Sequence, residues 1–351
     1  MNQLANEPGG PLSGGLYFSH PSSLEHDPRL YSPGHPDTPE RLRAIERALA
    51  GWDGRAWQRR EAPSASEAEL ELIHSPRHVR AIAELCRAGG GAIDPDTAVG
   101  PTSYRAAAHA AGAACELTRA LMAAEAAVGF CAVRPSGHHA EADRAMGFCL
   151  FNNVAIAAEL AIRQLGVGRV FVLDWDVHHG NGTAEAFRYR ADVLFVSIHQ
   201  SPHYPGTGPL TDAGSGPGEG YTINLPVPAG SGEELWLSLL EHVVSPAAVA
   251  FGPELVLISA GFDAHFADPL ADCQLQVSSF ARMARQLRDM ARAARIPLGA
   301  VLEGGYEPAA LGECVRGTLD ALAGEGQAQS GAPLTEAAAR AAAQVSRYWS
   351  L

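Results

Sequence analysis

Asp174, Asp176, His178 and His179 crowd the decapeptide DWDVHHGNGT, Asp174 to Thr183, directly after the apolar run VGRVFVL. Asp174, Asp176 and His178 stand at a spacing of two, so an extended backbone would send all three side chains to one side. Ionisable groups gathered there repel one another or lose hydration unless a cation sits among them, and a divalent metal meets that need. Asp176 offers an oxygen and His178 a nitrogen, and Asp263 in SAGFDAH is the best-placed third ligand. Two oxygens and one nitrogen, with a fourth position open to water, fit a catalytic zinc site and not a closed structural one. Iron, cobalt and manganese are the other metals such a set accommodates.

Further reactive groups follow other apolar runs. AVGFCAV leads into RPSGHHA, whose His138 and His139 could supply the base that takes a proton from water and the acid that protonates a departing nitrogen. Asp174 could fix the tautomer of His138 from behind the metal. PLGAVLEGG leads into Tyr306, a phenol that Gly304 and Gly305 leave free to swing over the site and hydrogen-bond a developing oxyanion. The chemistry is metal-assisted hydrolysis.

These groups need elements that bring them together. AVGFCAV, RVFVLDW, DVLFVSI, ELVLISA and PLGAVLE alternate with helical stretches at 152–166, 233–251 and 278–295, after earlier helical patterns near 38–50, 75–88 and 103–124. Near-continuous apolar strands alternating with helices predict an α/β domain, a parallel sheet covered on both faces. The carboxyl ends of such strands line the ligand crevice. The Gly/Pro-rich loop 199–220 is long enough to line it as well. Residues 1–15 are expected to be poorly ordered, 16–323 to form the catalytic domain, and 324–351 to form a polar linker and a helix whose Tyr348 and Trp349 dock on that domain.

With 39 acidic and 26 basic residues the net charge is -13, and no basic run offers a face for phosphates, so nucleic-acid binding is disfavoured. An acidic surface attracts cationic substrates instead. The cysteines Cys86, Cys115, Cys131, Cys149, Cys273 and Cys314 are scattered without a CxxC pair and read as buried free thiols of a reducing compartment. Without a signal peptide or an apolar stretch long enough to span a bilayer, a cytoplasmic protein with no membrane contact is expected, and a homo-oligomer is allowed.

In sequence order, RPSGHHA, GFCLFNN, DWDVHHGNGT, SAGFDAHFADPL and LEGGY resemble the zinc-dependent histone deacetylase family, within the arginase/deacetylase superfamily. The likeness is greatest to its class II branch and bacterial relatives, the histone deacetylase-like amidohydrolases and acetylpolyamine amidohydrolases, and runs from about Tyr17 to about Leu322. It implies a single-domain fold with an eight-stranded parallel sheet flanked by helices, one zinc ion on Asp176, His178 and Asp263, tandem catalytic His138 and His139, and Tyr306 as the phenol that polarises the scissile carbonyl. Gly147 and Phe148 match a channel wall, Tyr204 the opposing aromatic, Leu270 the gate and Asp96 an acidic rim residue. The resemblance also implies structural potassium, one ion at Asp174, Asp176, His178, Ser197 and Ile198, and a second at Phe187, Arg190, Val193 and Tyr221.

Two residues depart from the commoner pattern. Where many relatives pair the second histidine with Asp this chain has Asn181, as class II members do, and His265 falls two residues after a ligand, where a solvated or supporting role is expected. The implied activity is removal of acetyl or other acyl groups from a lysyl or similar cationic amine in a peptide, protein or small molecule. An acetylpolyamine deacetylase is the near alternative, although Leu270 lacks the carboxylate that would meet a distal ammonium. A two-manganese ureohydrolase would need a carboxylate where His265 stands, and an inactive acyl-binding module would have no use for the full set of reactive groups.

Overall fold

The structure is a computed structural model that describes residues 14–328 and 331–351. Among the described residues ten strands follow one another: β1 (Gly15–Ser19), β2 (Trp57–Glu61), the short antiparallel ribbon β3 (Gly91–Ala92) and β4 (Ala98–Val99), then β5 (Val128–Cys131), β6 (Val170–Asp174), β7 (Val193–Gln200), β8 (Thr222–Val227), β9 (Leu255–Ala260) and β10 (Leu298–Leu302). Eight of them form one sheet in the order β2-β1-β5-β10-β9-β6-β7-β8, with every neighbouring pair parallel.

Strand parity builds two cores. Phe171 and Leu173 of β6, with Leu194 and Val196 of β7, face the cluster that holds Leu42, Trp236, Phe280, Leu311 and Ala338. Val170, Val172, Val193 and Phe195 point the other way, to Leu117 and Leu121 of helix Ser103–Met122 and Ala157 and Ala161 of helix Asn153–Leu165. Helices therefore cover both faces, which is why these strands read as unbroken apolar runs.

Chain order and sheet order part company at the centre. After β5 the chain passes to β6, and the places between them are later filled by β9 and β10. Such a reversal opens a crevice beyond the carboxyl ends of the strands. The four contiguous strands there, β5, β10, β9 and β6, are the ones followed by His138, Tyr306, Asp263 and Asp176.

Several expectations are refined. Residues 1–13 of the segment expected to be poorly ordered lie outside the described residues, whereas Gly15 already opens β1, its N–H donating to the Ala56 carbonyl at 2.6 Å. At the other terminus Trp349 Nε1 donates to the Gly220 carbonyl at 2.7 Å and its ring meets Tyr221 edge-on at 5.2 Å. The absence of any bilayer-length apolar stretch is corrected: helix Glu233–Phe251 has 19 residues and a mean hydropathy of 1.2, long and apolar enough by composition alone. Its Trp236, Leu240, Val243 and Ala247 are spent inside the core, which accounts for the hydropathy.

A buried ionic knot ties the loop before helix Glu40–Ala48 to the crevice. Arg134 Nε and Arg41 Nη1 donate to the same Asp37 oxygen at 2.6 and 2.7 Å, and Arg41 Nε reaches the Gly305 carbonyl at 2.6 Å beside Tyr306. Burial pushes the Asp37 carboxyl up, but Arg134, His26 and Arg41 outweigh it and hold the group well below the carboxylate range. Removing the shared anion strands two guanidiniums in the core, so Asp37→Ala should cost about 3–5 kcal/mol of stability in a denaturant titration. A loss below about 1 kcal/mol would show that the arginines do not depend on Asp37.

Candidate active site

β6 ends at Asp174, and residues 176–178 bend instead of running on as a strand. The expectation that an extended backbone lines up Asp174, Asp176 and His178 is therefore corrected. Asp174 Oδ1 accepts the N–H of Asp176 at 3.0 Å and Asp176 Oδ1 accepts that of His178 at 2.9 Å, so each acid turns the chain for the next. The side chains converge through these turns.

Asp263, beyond β9, accepts the Val177 N–H at 2.9 Å, and its other oxygen lies 3.1 Å from His178 Nδ1; Asp176 Oδ1 is 3.0 Å from the same nitrogen. Donor atoms of Asp176, His178 and Asp263 all fall within 4.8 Å of one another in a buried group that could hold a metal ion. The backbone makes room for them: a Cβ on Gly304 would stand 2.0 Å from an Asp263 oxygen and 2.5 Å from one of Asp176. Gly304 is thus needed for close approach, while the left-handed backbone, φ +116°, belongs to Gly305.

Burial favours neutral forms here, yet His138 and His178 hold Asp176 below the usual carboxylate range. For His178 burial is outweighed by hydrogen bonds to Asp176 and Asp263, which raise it to about 10. Asp263 is pushed up by burial and by Asp176. Without a metal the two buried carboxylates thus favour a proton on His178. A divalent ion with an oxygen-oxygen-nitrogen preference replaces that proton, so the donor set fits one.

The two neighbouring imidazoles, 4.0 Å apart, are kept in different states. For His138 burial opposes the charge, but Asp174, 2.9 Å from Nδ1, and Asp176 hold it well above the ordinary range. His139 is kept neutral by burial and by the positive rings of His138 and His178. Its Nδ1 lies 2.8 Å from Asn181 Oδ1. Gly147, with φ +55°, lies so close that a Cβ would reach 2.3 Å from the His139 ring.

Aromatic and rim groups stand around this centre. Phe148 meets Tyr306 edge-on at 5.6 Å and His35 at 4.4 Å, and Tyr204 meets His139 at 5.1 Å and His178 at 6.2 Å. Leu270 donates its N–H to Asp268, and its carbonyl lies 2.8 Å from His203 Nε2. Asp96 is at the tip of the β3–β4 ribbon, where Thr97 binds its side chain and also accepts the Phe148 N–H. His265 lies outside the donor trio, its Nδ1 accepting the Ala267 N–H.

Of the potassium positions, Asp174 and Ser197 are register partners on β6 and β7 next to Ile198. The Ser197 hydroxyl is 2.9 Å from His199 Nδ1. Phe187 and Arg190 share a turn before Val193, and the Tyr221 carbonyl accepts the N–H of Phe195.

A sequence profile described as Histone deacetylase domain matches residues 35–322. The chain belongs to the histone deacetylase family. The histone deacetylase-like amidohydrolase of Pseudomonas aeruginosa is 40% identical over 295 residues, covering 83% of this chain and 77% of that protein. Histone deacetylase 10, chloroplastic, of Oryza sativa subsp. japonica is 38% identical over 312 residues, 83% of this chain and 70% of that one. The crystal structure of the HDA15 HD domain superposes with a TM-score of 0.88 at 35% identity, covering 96% and 95% of the two chains. The deacetylase is a hydrolase acting on amide bonds, and its eight-stranded parallel sheet is that of the family.

Three acids of the deacetylase lie outside the residues singled out from sequence. Glu303, in LEGGY, accepts the N–H of Gly137 at 2.6 Å and of His138 at 3.2 Å, and burial raises it to about 7. With His138 and Cys149 it forms a second close group of metal-type donors. There the acid already carries two backbone bonds, and burial pushes the Cys149 thiol well above its ordinary range, so the group suits protons better than a cation. Asp268 accepts the N–H of Tyr306 at 2.6 Å, and burial followed by the charge of Asp263 raises it to about 7. Glu141 reaches Asn181. An acid beside an apolar strand end was the available signal for Glu303; the partners of Asp268 and Glu141 become visible only in the fold.

His74 holds the loop that carries Glu141. Its Nδ1 lies 3.0 Å from the Glu141 carbonyl while Nε2 accepts the N–H of Asn152 at 2.8 Å, so protonation would break one bond. Burial, then the neighbouring His78, lowers its pKa to about 3. A depressed folded pKa gives stability that is present above pH 6.5 and lost as pH falls towards 3. His74→Gln should thus be less stable than the parent at pH 7, and the gap should narrow by about 1–2 kcal/mol at pH 5 in denaturant titrations. An equal gap at both pH values would refute the neutral buried state.

Proposed function

We propose that the deacetylase removes acetyl, or another short acyl group, from lysine-like amines in a zinc-dependent reaction. The observation that carries this reading is the buried trio Asp176, His178 and Asp263 beside the paired imidazoles of His138 and His139 and the phenol of Tyr306. Zinc held by these three residues would polarise the amide carbonyl and make water at the site more acidic.

His139, neutral and turned by Asn181 so that Nδ1 is occupied, takes a proton from the attacking water on Nε2. The water oxygen bonds to the carbonyl carbon, and His139 returns that proton to the nitrogen as the C–N bond breaks, leaving a carboxylic acid and an amine that part as carboxylate and ammonium. His138 keeps its charge beside Asp174 and stabilises the negative charge that grows on the carbonyl oxygen. Tyr306 donates a hydrogen bond to the same oxygen; burial holds its hydroxyl well above the usual phenol range, so it remains a donor. Asp268, through the Tyr306 N–H, and Arg41, 4.7 Å from the ring centroid, keep the phenol in place.

Phe148 and Tyr204 suit the methylene stem of an acyl-lysine side chain, with Gly147 leaving space beside His139. The rim supports a cationic substrate, since Asp96 and Asp94 lie in contact there, the Asp96 N–H donating to Asp94 at 3.0 Å. That pair also supports the second reading, an acetylated polyamine or other small amine, against which stands the apolar Leu270. The charge of -13 supports a partner other than nucleic acid, and the six buried free cysteines support a reducing, cytoplasmic setting. Potassium at Asp174, Asp176, His178, Ser197 and Ile198, and at Phe187, Arg190, Val193 and Tyr221, completes the proposal; its support is the family resemblance and the adjacency of β6 and β7.

Tyr306→Phe should lower kcat on an acetyl-lysine peptide by about 10²–10³ while zinc per chain is unchanged. Undiminished turnover would remove Tyr306 from the reaction. In the same assay an acetyl-lysine peptide should exceed an acetylated polyamine in kcat/KM, and the reverse order would favour the small-amine reading.

A further inference from the structure

We propose that Glu141 sets the tautomer of His139 by fixing which end of the Asn181 side chain faces it. The inference rests on the reading of His139 as the group that moves protons. Asn181 puts Oδ1 at 2.8 Å from His139 Nδ1 and, on its other side, donates from Nδ2 to Glu141 Oε1 at 2.8 Å. Nδ2 also reaches the His139 carbonyl at 3.3 Å and Met146 Sδ at 3.4 Å.

The two ends of an asparagine amide have nearly the same shape, and only their partners decide between them. An ionised carboxylate accepts hydrogen bonds and cannot donate one, so Glu141 takes the NH2 end. The turned-over amide would set Oδ1 against Oε1, two acceptors with no proton between them. With Oδ1 therefore facing His139, the imidazole must donate from Nδ1, and its lone pair is on Nε2. Without Glu141 the NH2 end keeps only its longer contacts to the His139 carbonyl and Met146 Sδ, and an amide that turns and donates to Nδ1 moves the ring proton to Nε2. In that form His139 has no lone pair with which to accept a proton at Nε2.

Glu141 is built to hold still. Its N–H donates to the Arg144 carbonyl at 2.9 Å, its own carbonyl is 3.0 Å from His74 Nδ1, and the side chain is half-buried. Asn181 is the first residue of helix Asn181–Phe187, whose next two N–H groups bind the His138 carbonyl at 3.0 and 3.2 Å. A carboxylate thus acts on His139 across one amide, in a chain where the residue in contact with the imidazole is neutral. Glu141 is a positioning residue.

The test uses the zinc-loaded full chain on an acetyl-lysine peptide. Glu141→Met, which has no acceptor of comparable strength, should lower kcat by roughly 10- to 100-fold with little change in KM or melting temperature. Glu141→Gln can still accept from Asn181 and should recover most of the loss. In an Asn181→Asp background the new carboxylate accepts from His139 whichever way it turns and faces Glu141 as a like charge, so Glu141→Met should there leave kcat unchanged or raise it. Nitrogen-15 histidine spectra of the parent protein should show His139 protonated on Nδ1, a readout that does not depend on the variants folding. Unchanged kcat in Glu141→Met, equal losses in the Met and Gln variants, the same loss in the Asn181→Asp background, or an Nε2–H ring in the parent would each overturn the proposal. A His139→Ala control separates the two readings: if it keeps its turnover the role of His139 itself falls, and if it is inactive beside a normal Glu141→Met only the role of Glu141 falls.

Discussion

Two carboxylates, Asp176 and Asp263, are buried within reach of one imidazole at the edge of an apolar sheet, and the rest of the site is arranged around the electrostatic demand they create. Neither can be hydrated, so their charge is met by backbone N–H groups of Gly304, Val177 and His178 and by positive rings. The hydrogen bonds are short-range and directional, which is why the turn after β6 and the glycine after β10 are so closely specified. A metal ion completes a balance to which, in its absence, a proton on His178 contributes.

Outside that centre, charge is placed in successive layers. Asp174 favours the charged form of His138, Glu303 fastens the backbone that carries the two imidazoles, and Asp37 with Arg41 and Arg134 ties the preceding loop to the segment after β10 that bears Tyr306. The sheet supplies the frame for this. Because β5, β10, β9 and β6 are neighbours in space though distant in sequence, a short displacement along any of them would pull one reactive group out of the cluster. Apolar packing on both faces holds those strands in register, so the stability of the core and the geometry of the site are one problem.

The central strands were legible in the sequence because burial on both faces leaves unbroken apolar runs. The outer ones were not: β2, WQRRE, is a charged edge strand, and β8, TINLPV, is an edge strand that tolerates Pro226. β1 was hidden by the glycine-rich stretch that leads into it. In the site, the grouping of Asp176, His178 and Asp263 was legible from residue type and strand-end position, although the geometry invoked for the first two was wrong: turns, and not an extended strand, bring them together. Glu303, Asp268 and Glu141 escaped because they act on backbone or amide groups far away in the chain, and no local spacing records such a partner.

Zinc-edge anomalous scattering from crystals of the zinc-loaded deacetylase tests the metal assignment most directly. A single peak per chain within bonding reach of Asp176, His178 and Asp263 is expected. Two peaks, or one peak placed instead among His138, Cys149 and Glu303, would contradict it.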